Sequence, residues 1–166
     1  MRLNVNKLLH TPESKQDFQF ELDLSDMEFG GATPVTEPVY VEGRVQNKAG
    51  ILLLSLSAHT TLHSTCDRCM EEFSEEKVVD YSCILAEERQ FDEDEDIILL
   101  ENDEVDLGDL ARTAFILDMD TKTLCSPDCM GLCPGCGVNL NYEKCRCKKQ
   151  VDPRLAALAK LLESDT

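Results

Sequence analysis

Six of the chain's nine cysteines fall between Cys125 and Cys147, and this density constrains the rear of the sequence more than any other feature. The string reads Cys125-Ser-Pro-Asp-Cys129-Met-Gly-Leu-Cys133-Pro-Gly-Cys136-Gly, then Cys145-Arg-Cys147. The first twenty residues contain no continuous apolar stretch, and no apolar run in the chain, Ile51–Leu54 included, exceeds five residues, far too short to cross a bilayer. The thiols are therefore expected to meet a reducing, cytoplasmic environment, where clustered cysteines hold metal or do redox chemistry in preference to forming disulfides. Zn²⁺, which takes four thiolates in a tetrahedron, is the expected cofactor.

The stretch Cys133-Pro-Gly-Cys136-Gly is similar to the knuckle of zinc-ribbon proteins, where a two-residue spacer turns both thiolates toward one ion. Gly135 and Gly137 provide the backbone freedom that so tight a turn demands. Cys145 and Cys147 sit two apart, so in an extended segment they share a face and complete a four-thiolate site with Cys133 and Cys136. Cys125 and Cys129 lack two ligands of their own. Cys66 and Cys69, at a tip between two expected strands, can supply them in a second site that ties the two halves of the chain together. A single site in which Cys125 or Cys129 replaces one member of the Cys145/Cys147 pair satisfies the spacing equally well. Cys83 lies inside an alternating strand and reads as core. His59 and His63 share one face of a strand and read as ordinary strand positions.

Hydrophobic periodicity makes the front of the chain mainly β. Phe18–Leu24 alternates apolar and polar residues, Val39–Val45 and Ile51–Thr65 form a long hairpin about Asn47–Gly50, and Val79 to Leu85 alternates again after the Cys66–Cys69 turn. Glu87–Asp106 is densely acidic and reads as a solvated, mobile loop except around Ile97–Leu100. Leu107, Leu110, Ala114 and Leu117 then repeat at helical spacing behind Asp106 as N-cap. At the end, Asp152 and Pro153 open a short amphipathic helix whose apolar stripe is Leu155, Leu158, Leu161 and Leu162. The expected fold class is α+β: an antiparallel N-terminal sheet or partial barrel, a middle helix, and a zinc-binding cysteine cluster followed by a short helix. The expected division is 1–121, acidic and mainly β, and 122–166, the zinc-binding tail.

Charge follows the same division. The chain carries a formal net charge of −17; residues 122–166 hold seven basic and five acidic residues, which leaves −19 on residues 1–121. Such a front repels bare nucleic acid and attracts basic proteins. Contact with phosphate is expected only from Lys144, Arg146, Lys148, Lys149 and Arg154; the first four also offset the −2 of a four-thiolate zinc centre. No Ser/His/Asp set, glycine-rich phosphate loop or paired carboxylates in an apolar setting stands out, which argues for binding and against catalysis.

Four separate segments, in order, resemble the YceD family: Cys66-Asp-Arg-Cys69-Met-Glu-Glu-Phe73; Val105-Asp-Leu107; Cys129 to Gly137 with Asn139-Leu-Asn141; and Asp152-Pro-Arg-Leu-Ala-Ala-Leu158. The resemblance implies a role in accumulation of the large-subunit (23S) ribosomal RNA and in ribosome assembly. The expected partners are a basic ribosomal protein or assembly factor first and the 23S rRNA precursor second, with no membrane and no small-molecule substrate. A thiol-switched zinc chaperone is the alternative, because a CxxC with a nearby CxC can hold zinc when reduced and open on oxidation.

Overall fold

The computed structural model describes residues 1–87 and 96–147. Four long segments with period-2 patterning build a meander: β2 (Lys15–Leu22), β3 (Val39–Lys48), β4 (Ile51–Thr65) and β5 (Glu72–Ala86), each antiparallel to the next. Along β4 the alternation places Leu52, Leu54, Leu56, Ala58, Thr60 and Leu62 on the buried face, while Ser55, His59 and His63 meet solvent. The β3–β4 turn works because Ala49 and Gly50 both adopt positive φ, 52° and 90°, the handedness that suits two-residue hairpins. Buried Asn47 secures it, accepting from the Gly50 N–H at 2.9 Å and donating to the Leu8 carbonyl at 2.7 Å. Phe18, opposite Gly43, occupies the space a side chain would need there: a Cβ on Gly43 would lie 2.5 Å from the Phe18 ring.

The sheet is open, which bears out the sheet and overturns the partial barrel among the two expected forms. Its far edge is β6 (Ile97–Leu99), which pairs with β5 in parallel over three residues and offers little to meet β2. The first residues do not join this sheet either. β1 (Arg2–Asn4) pairs with β7 (Glu104–Asp106) in a separate ribbon, next to α1 (Asn6–Leu9). Burial explains why the acidic stretch is not all loop: Val105 is inserted into the core and anchors β7. Residues 88–95 of that stretch, and the expected C-terminal helix with its stripe, lie outside the described residues.

α2 (Leu107–Leu117) lies on the buried side, and its Leu107, Ala111 and Phe115 are fully covered in the same core cluster as Val5, Val39 and Leu54. Asp106 caps it, accepting from Gly108 N at 3.0 Å and Asp109 N at 3.3 Å. The same carboxylate meets the α-amino group of Met1 at 3.4 Å and Arg2 at 3.3 Å. No described helix is long and apolar enough to cross a membrane.

Burial pushes the Asp106 carboxyl up, but the Asp109 N–H, the chain's amino terminus and Arg2 outweigh it and hold its pKa below the ordinary carboxylate value. A carboxyl whose pKa is lowered by folding stabilises the fold above its unfolded value of about 4 and loses that contribution as pH falls through the folded value. Asp106→Ala is therefore expected to cost about 1 kcal/mol at pH 7. In urea melts of both proteins, the gap should close as the pH drops below about 4.

Candidate metal centre

The turn between β4 and β5 is built to present two sulfurs. Met70, at a positive φ of 61°, lets its N–H reach the Cys66 carbonyl at 2.9 Å, and Cys66 N donates to the Glu71 carbonyl at 2.9 Å. This closes a loop whose Cys66 and Cys69 side chains point to one side. The segment after α2 is stitched onto the turn: Asp67 N donates to the Thr123 carbonyl (2.9 Å) and Thr123 N to the Asp67 carboxylate (2.8 Å). Arg68 donates through Nη1 to the Cys129 carbonyl at 2.8 Å, and its own carbonyl accepts from Leu132 N at 2.8 Å.

These ties bring Cys125 and Cys129 to Cys66 and Cys69, and the four sulfurs all lie within 4.8 Å of one another. Cys66 Sγ is 3.8 Å from Cys129 Sγ, and Cys69 Sγ is 3.6 Å from Cys125 Sγ. Cys66, Cys69 and Cys129 are buried, Cys125 is the most open, and Phe73 and Leu124 pack beside them. Asn141 donates from Nδ2 to Cys129 Sγ at 3.3 Å while its Oδ1 accepts from Met130 N at 2.7 Å. Tyr142 donates to Glu71 at 3.1 Å and covers the same side.

The second quartet is Cys133, Cys136, Cys145 and Cys147, again within 4.8 Å of one another. Cys145 Sγ lies 3.1 Å from Cys133 Sγ and 3.8 Å from Cys136 Sγ. The Cys133 carbonyl accepts from Gly137 N, and Cys133 N donates to the Val138 carbonyl, both at 2.8 Å, the closed turn expected of a knuckle. Gly135 keeps this approach open: a Cβ there would lie 3.1 Å from Cys147 Sγ, tighter than ordinary contact, and the sulfur would have to shift by a few tenths of an ångström. Only Cys133 is buried; Cys136, Cys145 and Cys147 are exposed. Two quartets stand where the spacing had also allowed a single mixed site.

Electrostatics fits a cationic occupant at both places. Burial raises the Cys66 thiol, but N–H groups of Cys125, Cys69 and Arg68 donate to its sulfur and bring it down to about 6. The neighbouring sulfur of Cys69 pushes Cys125 up to about 12. In the second quartet Cys145, with the Gly135 and Cys136 N–H groups, lowers Cys133 to about 6, while Cys136 drives Cys147 up to about 12. Each quartet readily holds one thiolate and resists further ones, a conflict that a divalent cation relieves. Four soft donors in a group fit Zn²⁺ and exclude the oxygen-seeking Mg²⁺ and Ca²⁺.

The other candidates fall elsewhere. Cys83 is core, its thiol raised to about 11 by burial. His59 stacks on Tyr40, and His63 Nδ1 meets Ser74 Oγ at 2.8 Å. Lys144 and Arg146 are exposed beside the second quartet. Lys148, Lys149 and Arg154 lie outside the described residues. Asn141, Asp67 and Arg68, which brace the first quartet, were not singled out by pattern; the Asn139-Leu-Asn141 and Cys66-Asp-Arg-Cys69 strings contained them without showing their roles.

Fold and site together define a mainly-β protein with two four-thiol clusters, each able to hold a metal ion. The family described as "Large ribosomal RNA subunit accumulation protein YceD" matches residues 54–162, a span that includes all eight clustered cysteines, and the chain belongs to this family. An uncharacterised protein of Mycobacterium tuberculosis is 38% identical over 76 residues, covering 45% of this chain and 37% of the relative's length. The protein named large ribosomal RNA subunit accumulation protein YCED homolog 1, chloroplastic, of Zea mays is 28% identical over 150 residues, covering 71% of this chain and 51% of its own. The uncharacterised protein YlbN of Bacillus subtilis is 24% identical over 169 residues, covering 99% and 98%. No solved structure matches the chain.

Two glycines at nearly the same φ test the joint between turn and tail. Gly131 (φ +73°) and Gly137 (φ +74°) both strain under a side chain, but only at Gly131 would a Cβ meet backbone, the Arg68 carbonyl at 2.8 Å. Gly137→Ala is expected to cost about 1 kcal/mol and Gly131→Ala about 2 kcal/mol or more, read from denaturant midpoints. Equal losses would contradict the close approach.

Proposed function

We propose that the chain is a non-enzymatic accessory factor in accumulation of the large-subunit (23S) ribosomal RNA and in large-subunit assembly, acting in the cytoplasm by binding. The observation that carries this reading is the family match, which runs through both cysteine quartets and both halves of the chain. We assign one Zn²⁺ to each quartet. Its chemistry is structural: it neutralises clustered thiolates and ties together segments that have little apolar material of their own. The protein's residues do the remainder. Asn141 and the Cys125 N–H orient sulfurs, Gly135 leaves room for Cys147, and Arg68 holds the Cys129 backbone in place.

Physical charge narrows the partner. A front with −19 cannot bind RNA by releasing counterions, which needs clustered Lys and Arg. The acidic part therefore docks a basic ribosomal protein or assembly factor, and RNA contact, where it occurs, comes from the Lys144–Arg154 region. Binding of the full chain to a basic large-subunit protein should weaken steeply between low and high salt, and naked 23S rRNA should not be retained. Tight, salt-resistant capture of naked rRNA by the acidic front alone, residues 1–121, would contradict the reading.

One observation favours a second reading, the thiol-switched chaperone: three of the four thiols in the second quartet are exposed. There, hydrogen peroxide would take two electrons from a thiol pair such as Cys133 and Cys145, forming a disulfide and two waters and freeing the metal. The leading reading predicts that zinc stays bound under mild peroxide. Release of zinc together with new binding of unfolded client proteins would favour the switch.

A further inference from the structure

The face of the five-stranded sheet turned away from the core is covered by no described element. Strand register aligns Glu21, Tyr40, His59 and Val78 in one row across that face, from β2 to β5. The flanking rows add Glu42 and Asp80 on one side and Glu76 on the other. Tyr40 is 48% exposed and Val78 51%, and the Tyr40 and His59 rings stack with centroids 5.6 Å apart and planes at 24°. A shallow pocket of about 460 Å³ opens at this pair, bordered by Gln19, Glu21 and Glu42.

The outward positions of these three rows hold four carboxylates and no Lys or Arg. The three cations of the face, Lys15, Arg44 and Lys48, stand further along the strands, and Arg44 is already paired with Asp17. A sheet face that only needs to stay wet carries small polar residues and mixed charges, as the Ser55, Ser57 and Ser82 positions do here. A large exposed aromatic stack ringed by carboxylates alone is instead the chemical complement of a guanidinium group, which is planar, weakly hydrated and suited both to ring faces and to carboxylates. The carboxylates also repel phosphate, so a nucleic acid is not the occupant.

We propose that this face docks an arginine-rich segment of a basic protein, with one guanidinium laid on Tyr40 and paired with Glu21 and Glu42. The inference rests on the basic-partner reading above and assigns it a surface. Lysine, a compact and strongly hydrated point charge, gains less from the ring, so the site prefers arginine at equal charge.

Titrating the full chain at low ionic strength and pH 8 with hexa-arginine and, separately, hexalysine tests this, with affinity read by calorimetry and the surface by backbone amide shifts. Hexa-arginine should bind more tightly, with shifts centred on Glu21, Tyr40, Glu42 and His59. Tyr40→Thr, which keeps a good strand former at an exposed position, should weaken hexa-arginine roughly two- to fivefold and hexalysine by less. Glu42→Gln should weaken both peptides about twofold. Equal affinity for the two peptides, or shifts centred on another surface, would overturn the assignment while leaving the basic-partner reading intact. Binding of neither peptide would remove both.

Discussion

Cys66 and Cys69 reach across about sixty residues of sequence to Cys125 and Cys129, and the placement of residues 123–147 depends on that meeting. The apolar help available there is slight: Phe73 and Leu124 are only partly buried, and each supplies at most about 3 kcal/mol. Ordering some twenty residues of backbone costs about 1 kcal/mol or more apiece. Hydrogen bonds such as those linking Asp67 with Thr123 contribute about 1 kcal/mol each and cannot make up the difference. Structural zinc sites contribute on the order of 10 kcal/mol, which is the right scale. The proposed ion is thus the term that decides whether the tail has a fold.

The two quartets are unequal in a way that suits different duties. The first is enclosed by the β4–β5 turn, with Asn141 donating to one sulfur and Arg68 pinning the backbone behind it. The second is a self-contained knuckle beyond it, exposed at three of four thiols and bordered by Lys144 and Arg146. One joins halves of the chain; the other shapes the surface nearest the basic residues.

The long strands were legible because burial on one face writes a period of two into sequence, as Leu52 through Leu62 does along β4. Asp106 was legible as a cap because its side-chain oxygen answers a local need of the helix start. By contrast, β1, β6 and β7 are three residues long and carry no periodicity to read, so Arg2 pairing with Asp106 could not be seen from either segment. Openness of the sheet is likewise a property of which edges meet, not of any one strand. In the site, cysteine spacing singled out the donors because chelation demands short spacers, but the partition into quartets needed the fold to bring Cys125 and Cys129 to the β4–β5 tip. Asn141 and Gly135 act through contacts with sulfurs distant in sequence or on the next segment, which no local pattern records.

The most direct test counts metal and asks what it holds. Native mass spectrometry of the purified chain should find two zinc ions, and Cys66→Ser should carry one, with amide exchange rising from Leu124 to Tyr142 as that segment comes away from the β4–β5 turn. A polypeptide that binds no metal, and whose residues 123–147 keep the same exchange protection after exhaustive chelation, would contradict the account.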